Sequence, residues 1–110
     1  MQNVPPYRLK KENPRVAVLY DNQVGSSGEA TAIAFRGRPK TRSFGEATCG
    51  VSTANQSYRL ADGAQLFLTV ATMADRTGTR YGGQLVPDEA IAGADAQVAR
   101  AVEWLRSGAQ

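Results

Sequence analysis

Gly25-Ser26-Ser27-Gly28-Glu29 is the stretch of this 110-residue chain in which hydroxyl, carboxylate and glycine fall at spacings that could do chemistry. The residues before it read as a strand and those after it as a helix, so the two serines stand at a helix mouth. A helix N-terminus presents unpaired N–H groups and the positive end of the dipole, which stabilise a side-chain oxygen or a developing oxyanion. Gly25 and Gly28 permit the sharp backbone path that would expose one serine hydroxyl. The same residues have a plainer use, with Ser26 or Ser27 as helix N-cap and Glu29 completing a capping box. The local sequence leaves both readings open, and the spacing is not that of a Gly-x-Ser-x-Gly nucleophile elbow.

The elements that must hold this turn follow from the pattern around it. Arg15 to Asp21, with a short β-branched run after Pro14, reads as a strand covered on both faces. Ala30 to Phe35 leaves almost no polar face and reads as a buried helix, with Gly37 just past its end as a left-handed cap. Arg36, Arg38, Lys40 and Arg42 alternate with other residues, and in an extended chain would line one face as a basic track for phosphates or a carboxylate. The bland alternative is a solvated loop after a helix C-terminus. A second short strand is expected around Arg42 to Phe44, then a loop from Val51 to Tyr58 returning over the sheet. Asp62-Gly63 between Tyr58–Leu60 and Gln65–Ala71 signals a hairpin, and Asp75–Gly78 a second turn. From Asp95 as N-cap, Val98, Ala101, Val102 and Leu105 recur at helical spacing as a core stripe. Trp104 would anchor that helix, and Gly108 lies beyond its end. Residues 1–14, with Pro5-Pro6 and scattered cations, read as an extended lead-in or linker, and 15–110 as the folded part.

Composition narrows the chemistry further. The length fits one domain with a real core, and the net charge of +3 comes from scattered arginines nearly matched by acids. There is no histidine and a single cysteine, Cys49, so an intrachain disulfide, a Cys-His nucleophile and the usual zinc patterns are all excluded within this chain. Cys49 reads as a small buried hydrophobe. No run reaches membrane-spanning length, the N-terminus lacks the pattern of a signal peptide, and nothing calls for a cofactor.

Five stretches fall in a recognisable order: Val18-Leu19-Tyr20-Asp21, Ser26-Ser27-Gly28-Glu29, Gly45-Glu46-Ala47-Thr48-Cys49-Gly50, Leu60-Ala61-Asp62-Gly63-Ala64 and Val86-Pro87-Asp88. Together they resemble the C-terminal half of the catalytic domain of the tail-specific, or C-terminal-processing, serine proteases. That family also includes the tricorn core protease and the interphotoreceptor retinoid-binding protein modules. The resemblance covers roughly Arg15 to Ile91 and implies an α/β fold with an incomplete, crotonase/ClpP-like ββα core.

It also implies a serine-type endopeptidase, with Ser26 as nucleophile three residues before Glu29 and the Ser27 amide contributing to an oxyanion hole. Two departures follow from the comparison. Val51 stands where the bacterial processing proteases carry a lysine base, and Tyr81 lies near the position of an assisting glutamate in the tricorn-like members, whose histidine comes from earlier in the domain. Glu29, Glu46 and Tyr81 are therefore the accessory candidates, and the chain would need an upstream half or self-association to be complete. The implied partner is a peptide or unfolded protein rather than nucleic acid, and bacterial members of the family place the protein in the periplasm or outside the cell. The resemblance also admits a non-catalytic relative that binds peptides or a lipophilic ligand. The basic track leaves a third reading, an anion or nucleic-acid binding module.

Overall fold

Val16-Ala17-Val18-Leu19-Tyr20 is β-branched enough to extend, and in the computed structural model, which describes residues 3–108, it forms β1 (Val16–Tyr20). Helix α1 (Ser27–Ala34) follows, then β2 (Thr41–Gly45), β3 (Thr53–Arg59), β4 (Gln65–Thr72), β5 (Glu89–Ala90) and helix α2 (Ala94–Ser107). Strands β1, β2 and β5 pair in parallel in that order, with Val16 opposite Thr41, Tyr20 opposite Gly45 and Phe44 opposite Glu89. Partners in a parallel register point to the same face. Tyr20 and Val18 pack with Ala32 and Ile33 of α1 and with Leu85, while Phe44 meets Trp104 of α2 on the other face at a centroid distance of 5.9 Å. The result is a small α/β layer structure, helix on sheet on helix.

One backbone contact fixes how β1 and β2 end together. Gly45 has φ 137°, and a Cβ there would lie 1.9 Å from the Tyr20 carbonyl oxygen. That carbonyl accepts the Glu46 amide at 3.0 Å, and the Gly45 carbonyl accepts Ile91 at 2.8 Å. Only glycine allows this approach, which seats both strand ends beside the turn that carries Ser26.

Several expectations are corrected. β1 is covered on both faces yet only half-buried from Val16 to Val18, with Leu19 39% exposed, because it is an edge strand of this sheet. The helix after the serines begins at Ser27, and it buries Ala32 and Ile33 but leaves Ala30 and Ala34 exposed. The stretch 51–58 is not a loop: from Thr53 it is β3, whose polar Asn55-Gln56-Ser57 is drawn into a ladder by the apolar β4 opposite. The hairpin itself is as expected, Arg59 facing Gln65 across the Asp62-Gly63 turn, although both strands are exposed along nearly their whole length. Helix α2 is capped by Gly93 rather than Asp95, which lies in the first turn where its charge suits the dipole.

Within α2, Gln97 and Ala101 are buried and Val102 is half-buried, but Val98 and Leu105 are exposed. Trp104 on Phe44, and Arg15 stacked over Trp104 at 4.0 Å while donating to its carbonyl, set the rotation of the helix instead. Gly108 ends it in the left-handed conformation, as expected. Cys49 is exposed, because its backbone is tied to Val24 at the surface of the Ser26 turn. The four basic residues do not form one extended face. Arg36 to Lys40 lie in turns, and Arg42 in β2 pairs with Glu89 at 2.6 Å. No helix among the described residues is long and apolar enough to cross a membrane.

Candidate active site

The turn between β1 and α1 is built by short-range bonds. Asp21 accepts the Gln23 amide on its side chain and the Val24 amide on its carbonyl, the Gly28 amide donates to the Gly25 carbonyl at 3.0 Å, and Ala30 donates to Ser26 at 2.9 Å. Ser26 sits at the N-cap with φ 49° and ψ −111°, a backbone conformation costly for any residue with a Cβ, and its side chain belongs to an exposed residue. Ser27 is the first helical residue, so its amide is among those with no acceptor inside the helix.

What holds Ser26 in that conformation is Glu29, which is wholly buried. Oε1 accepts the amides of Ser26 and Val51, each at 2.9 Å, and Oε2 accepts the Thr48 hydroxyl at 2.6 Å and the Gly50 amide at 3.2 Å. Burial by itself pushes this carboxyl up, but the bonds from Thr48, Val51, Ser26 and Gly50 together hold it below its ordinary value. Glu29 is thus an ionised anchor with four donors on it, and its place is structural: it joins the serine turn to the 48–51 loop.

Thr48 extends the anchor inward. It is fully buried, donates to Glu29, and accepts the Leu85 amide on its hydroxyl at 2.8 Å. Ser52, also fully buried, donates to the Gly83 carbonyl and accepts the Gly82 amide, tying the same loop to the segment before β5. Neither residue's role is legible in the sequence, since a threonine and a serine in a loop carry no signal of burial.

The other accessory candidates fall elsewhere. Val51, with its amide on Glu29, is exposed, and a Cβ built on Gly25 would be 3.1 Å from its Cγ2 and 3.4 Å from the Cys49 Cβ. Residue 51, where the resemblance implies a lysine, therefore adjoins the serine turn and carries an isopropyl group. The Tyr81 hydroxyl donates to Asp75 at 2.6 Å. Burial and then that bond push Tyr81 up to about 12, while bonds from Thr77 and Tyr81 hold Asp75 down at about 2. That pair closes the Asp75–Gly78 turn and makes no bond to the Ser26 turn. Glu46 bonds through its amide to Tyr20, and no side-chain bond joins it to either serine. No group of acidic, cysteine or histidine side chains among the described residues is arranged to hold a metal ion.

Comparison with known proteins gives this geometry a context. The model of peptidase family S41 matches residues 3–91. A nisin-resistance protein of Lactococcus lactis subsp. lactis is 40% identical over 93 residues, covering 84% of this chain and 28% of that protein. Among solved structures, a lipoprotein from Streptococcus agalactiae superposes with a TM-score of 0.73 at 34% identity, covering 84% of this chain and 32% of that one. The chain therefore spans about a third or less of the length of these relatives.

Proposed function

Because the chain belongs to peptidase family S41, we propose that it carries the nucleophile-bearing part of a tail-specific serine endopeptidase built on a crotonase/ClpP-like core, with the functional unit in 15–110 behind a lead-in over 1–14. The observation that carries this reading is the conformation of Ser26: exposed, at the mouth of α1, and held at a costly positive φ by a buried carboxylate. A helix cap alone does not need that cost, whereas a nucleophile presented on a sharp strand-to-helix turn does. In the reaction, Ser26 Oγ attacks the scissile carbonyl carbon and gives its proton to a base. The carbonyl oxygen becomes an oxyanion facing the Ser27 amide, and collapse expels the amine, which takes the proton. Water then hydrolyses the acyl-enzyme.

The base belongs, in this reading, to polypeptide outside the present span. Glu29 has its acceptor positions filled and Tyr81 is bound to Asp75. The β3–β4 hairpin supports the same view. Tyr58, Leu66 and Leu68 share one face and are each more than 40% exposed, a surface suited to a covering segment or a second copy. An extended peptide substrate adding to the hairpin edge would be read mainly through its backbone. The relative named for nisin resistance makes nisin the first substrate to try, and the lipoprotein neighbour supports an exported location.

The test is intact-mass analysis after treatment with a fluorophosphonate, on this chain and on a longer protein spanning the relatives' full length. A single adduct on the longer protein, lost in Ser26→Ala and kept in Ser27→Ala, is the expected result. Absence of any adduct on that folded longer protein overturns the peptidase reading in favour of a non-catalytic binding relative.

A further inference from the structure

Away from the serine turn, the C-terminal half of α1 and the sheet enclose a cavity of about 310 Å³. Val18 of β1, with Ala32 and Phe35 at the end of α1, gives it an apolar side, and Tyr20 and Ser43 line it with their hydroxyls. Two guanidiniums, Arg36 and Arg38, and one carboxylate, Asp88, also line it. Arg36 Nη2 donates to the Tyr20 hydroxyl at 2.6 Å and the Val86 carbonyl at 2.5 Å. Arg38 Nη1 donates to Thr41 Oγ1 at 2.8 Å and the Pro39 carbonyl at 3.0 Å.

All four acceptors are neutral, so both arginines are held in place by hydrogen bonds, with no ion pair to either among the described residues. The ion pairs among the described residues use Arg42 and Arg100 instead. Asp88 is engaged elsewhere: its Oδ2 accepts the amide and hydroxyl of Ser43 at 2.8 and 3.0 Å. Between it and Arg36 stand the hydroxyls of Tyr20 and Ser43, 3.4 Å apart.

We propose that this cavity binds a carboxylate carried on an apolar body, the carboxylate on Arg36 and Arg38 and the body against Val18, Ala32 and Phe35. Guanidinium forks match a planar carboxylate, and two that are already held lose little freedom on binding. The volume is at the small end of the roughly 300–1,000 Å³ typical of small-ligand sites, so the body is short, a few carbons or one side chain. A free short-chain acid and the C-terminal residue of a peptide share this chemistry. The site is separate from the serine turn, because α1 rises about 1.5 Å per residue and the two lie at its opposite ends. Failure here would leave the peptidase reading untouched.

The test is an amide-resolved NMR titration of the 110-residue chain with hexanoate, with hexanamide, and with a short peptide ending in leucine as free acid or as amide. Expected are shifts at Val18, Ala32, Gly37 and Thr41, with hexanamide and the peptide amide at least about tenfold weaker than the acids. Arg38→Gln, a residue outside every ion pair, should weaken the acids about fivefold or more while the rest of the spectrum stays in place. Asp88→Asn keeps an acceptor for the Ser43 amide but removes a like charge, and should tighten binding roughly two- to fivefold. Binding of the peptide acid alone identifies a chain terminus as the ligand, and equal binding of hexanoate a free acid. The proposal is overturned if neither acid binds, if the neutral analogues bind as well, if Arg38→Gln changes nothing, or if Asp88→Asn weakens binding.

Discussion

Glu29→Gln isolates the anchor of the candidate site with almost no change in volume. The carboxylate, itself fully buried, takes two amides on Oε1 and a hydroxyl and an amide on Oε2. If the glutamine oxygen keeps the Ser26 and Val51 amides, its new NH₂ faces the Thr48 hydroxyl, which can turn to accept, and the Gly50 amide, which cannot. Two donors then lose their acceptor, the buried Thr48 hydroxyl and the half-buried Gly50 amide, and the remaining bonds lose their charge assistance, for a total of roughly 2–4 kcal/mol. That is a large share of the stability of a small domain.

Urea unfolding followed by the single tryptophan, Trp104, reads the loss. The pH dependence supplies a second check. Glu29 is held below its ordinary value of 4.5, so its stabilising contribution is complete above the unfolded pKa and is lost as pH falls through the lower folded value. The gap between wild type and Glu29→Gln is therefore widest near neutrality and narrows in acid. Amide exchange at Gly50 should rise, and that at Val51, whose acceptor is kept, much less. A stability difference under about 0.5 kcal/mol at neutral pH, which is the scale of an ordinary surface change, or a gap that stays constant into acid, refutes the reasoning.

Two further outcomes are expected. In a spectrophotometric tyrosine titration, a component ionising at about 12 should appear and should vanish in Tyr81→Phe. In the same variant the Asp75 carboxyl, followed by NMR, should rise from about 2 toward 3.8; an unmoved Asp75 would mean that the Tyr81 hydroxyl is not its donor. On the peptidase reading, Val51→Lys puts an amine beside the Ser26 turn, where Gly25 leaves the Val51 side chain in close contact. Fluorophosphonate labelling of Ser26 should then rise by about 10²-fold or more, and no rise would show that this position does not reach the hydroxyl.

How much of this was legible beforehand depends on the range of the interaction involved. The β1–turn–α1 unit, β2, the Asp62-Gly63 hairpin and the last helix are local signals, and they fall where the residues place them. Strand β3 was missed because Asn55-Gln56-Ser57 has no intrinsic preference for extension and is made a strand by its partner. The rotation of α2 was misjudged for a related reason. An apolar stripe gives the most hydrophobic face, but the helix is seated by Trp104, Arg15 and Arg100, two of them charged and none of them in the stripe. Glu29 carries two expectations, a capping-box partner, which its bond to the Ser26 amide bears out, and an accessory to the serine, which that bond does not test. Its reach to Thr48, Gly50 and Val51 depends on a loop about twenty residues away folding back, and no local pattern records that.

That reach changes what the serine turn is. A capping box needs only its own four residues, and an exposed glutamate would serve it. Here the carboxylate is withdrawn from solvent and spent on the loop that carries Cys49 and Val51, so the conformation of Ser26 and the position of residue 51 are set by one side chain. Desolvating a carboxylate is costly, and in a domain this small the cost is offset only because four donors converge on it. A fold needing merely to end β1 and begin α1 has cheaper ways of doing so. On the peptidase reading, that cost serves to keep the distance between the hydroxyl at 26 and whatever approaches over residue 51, as a reacting pair requires and a cap does not.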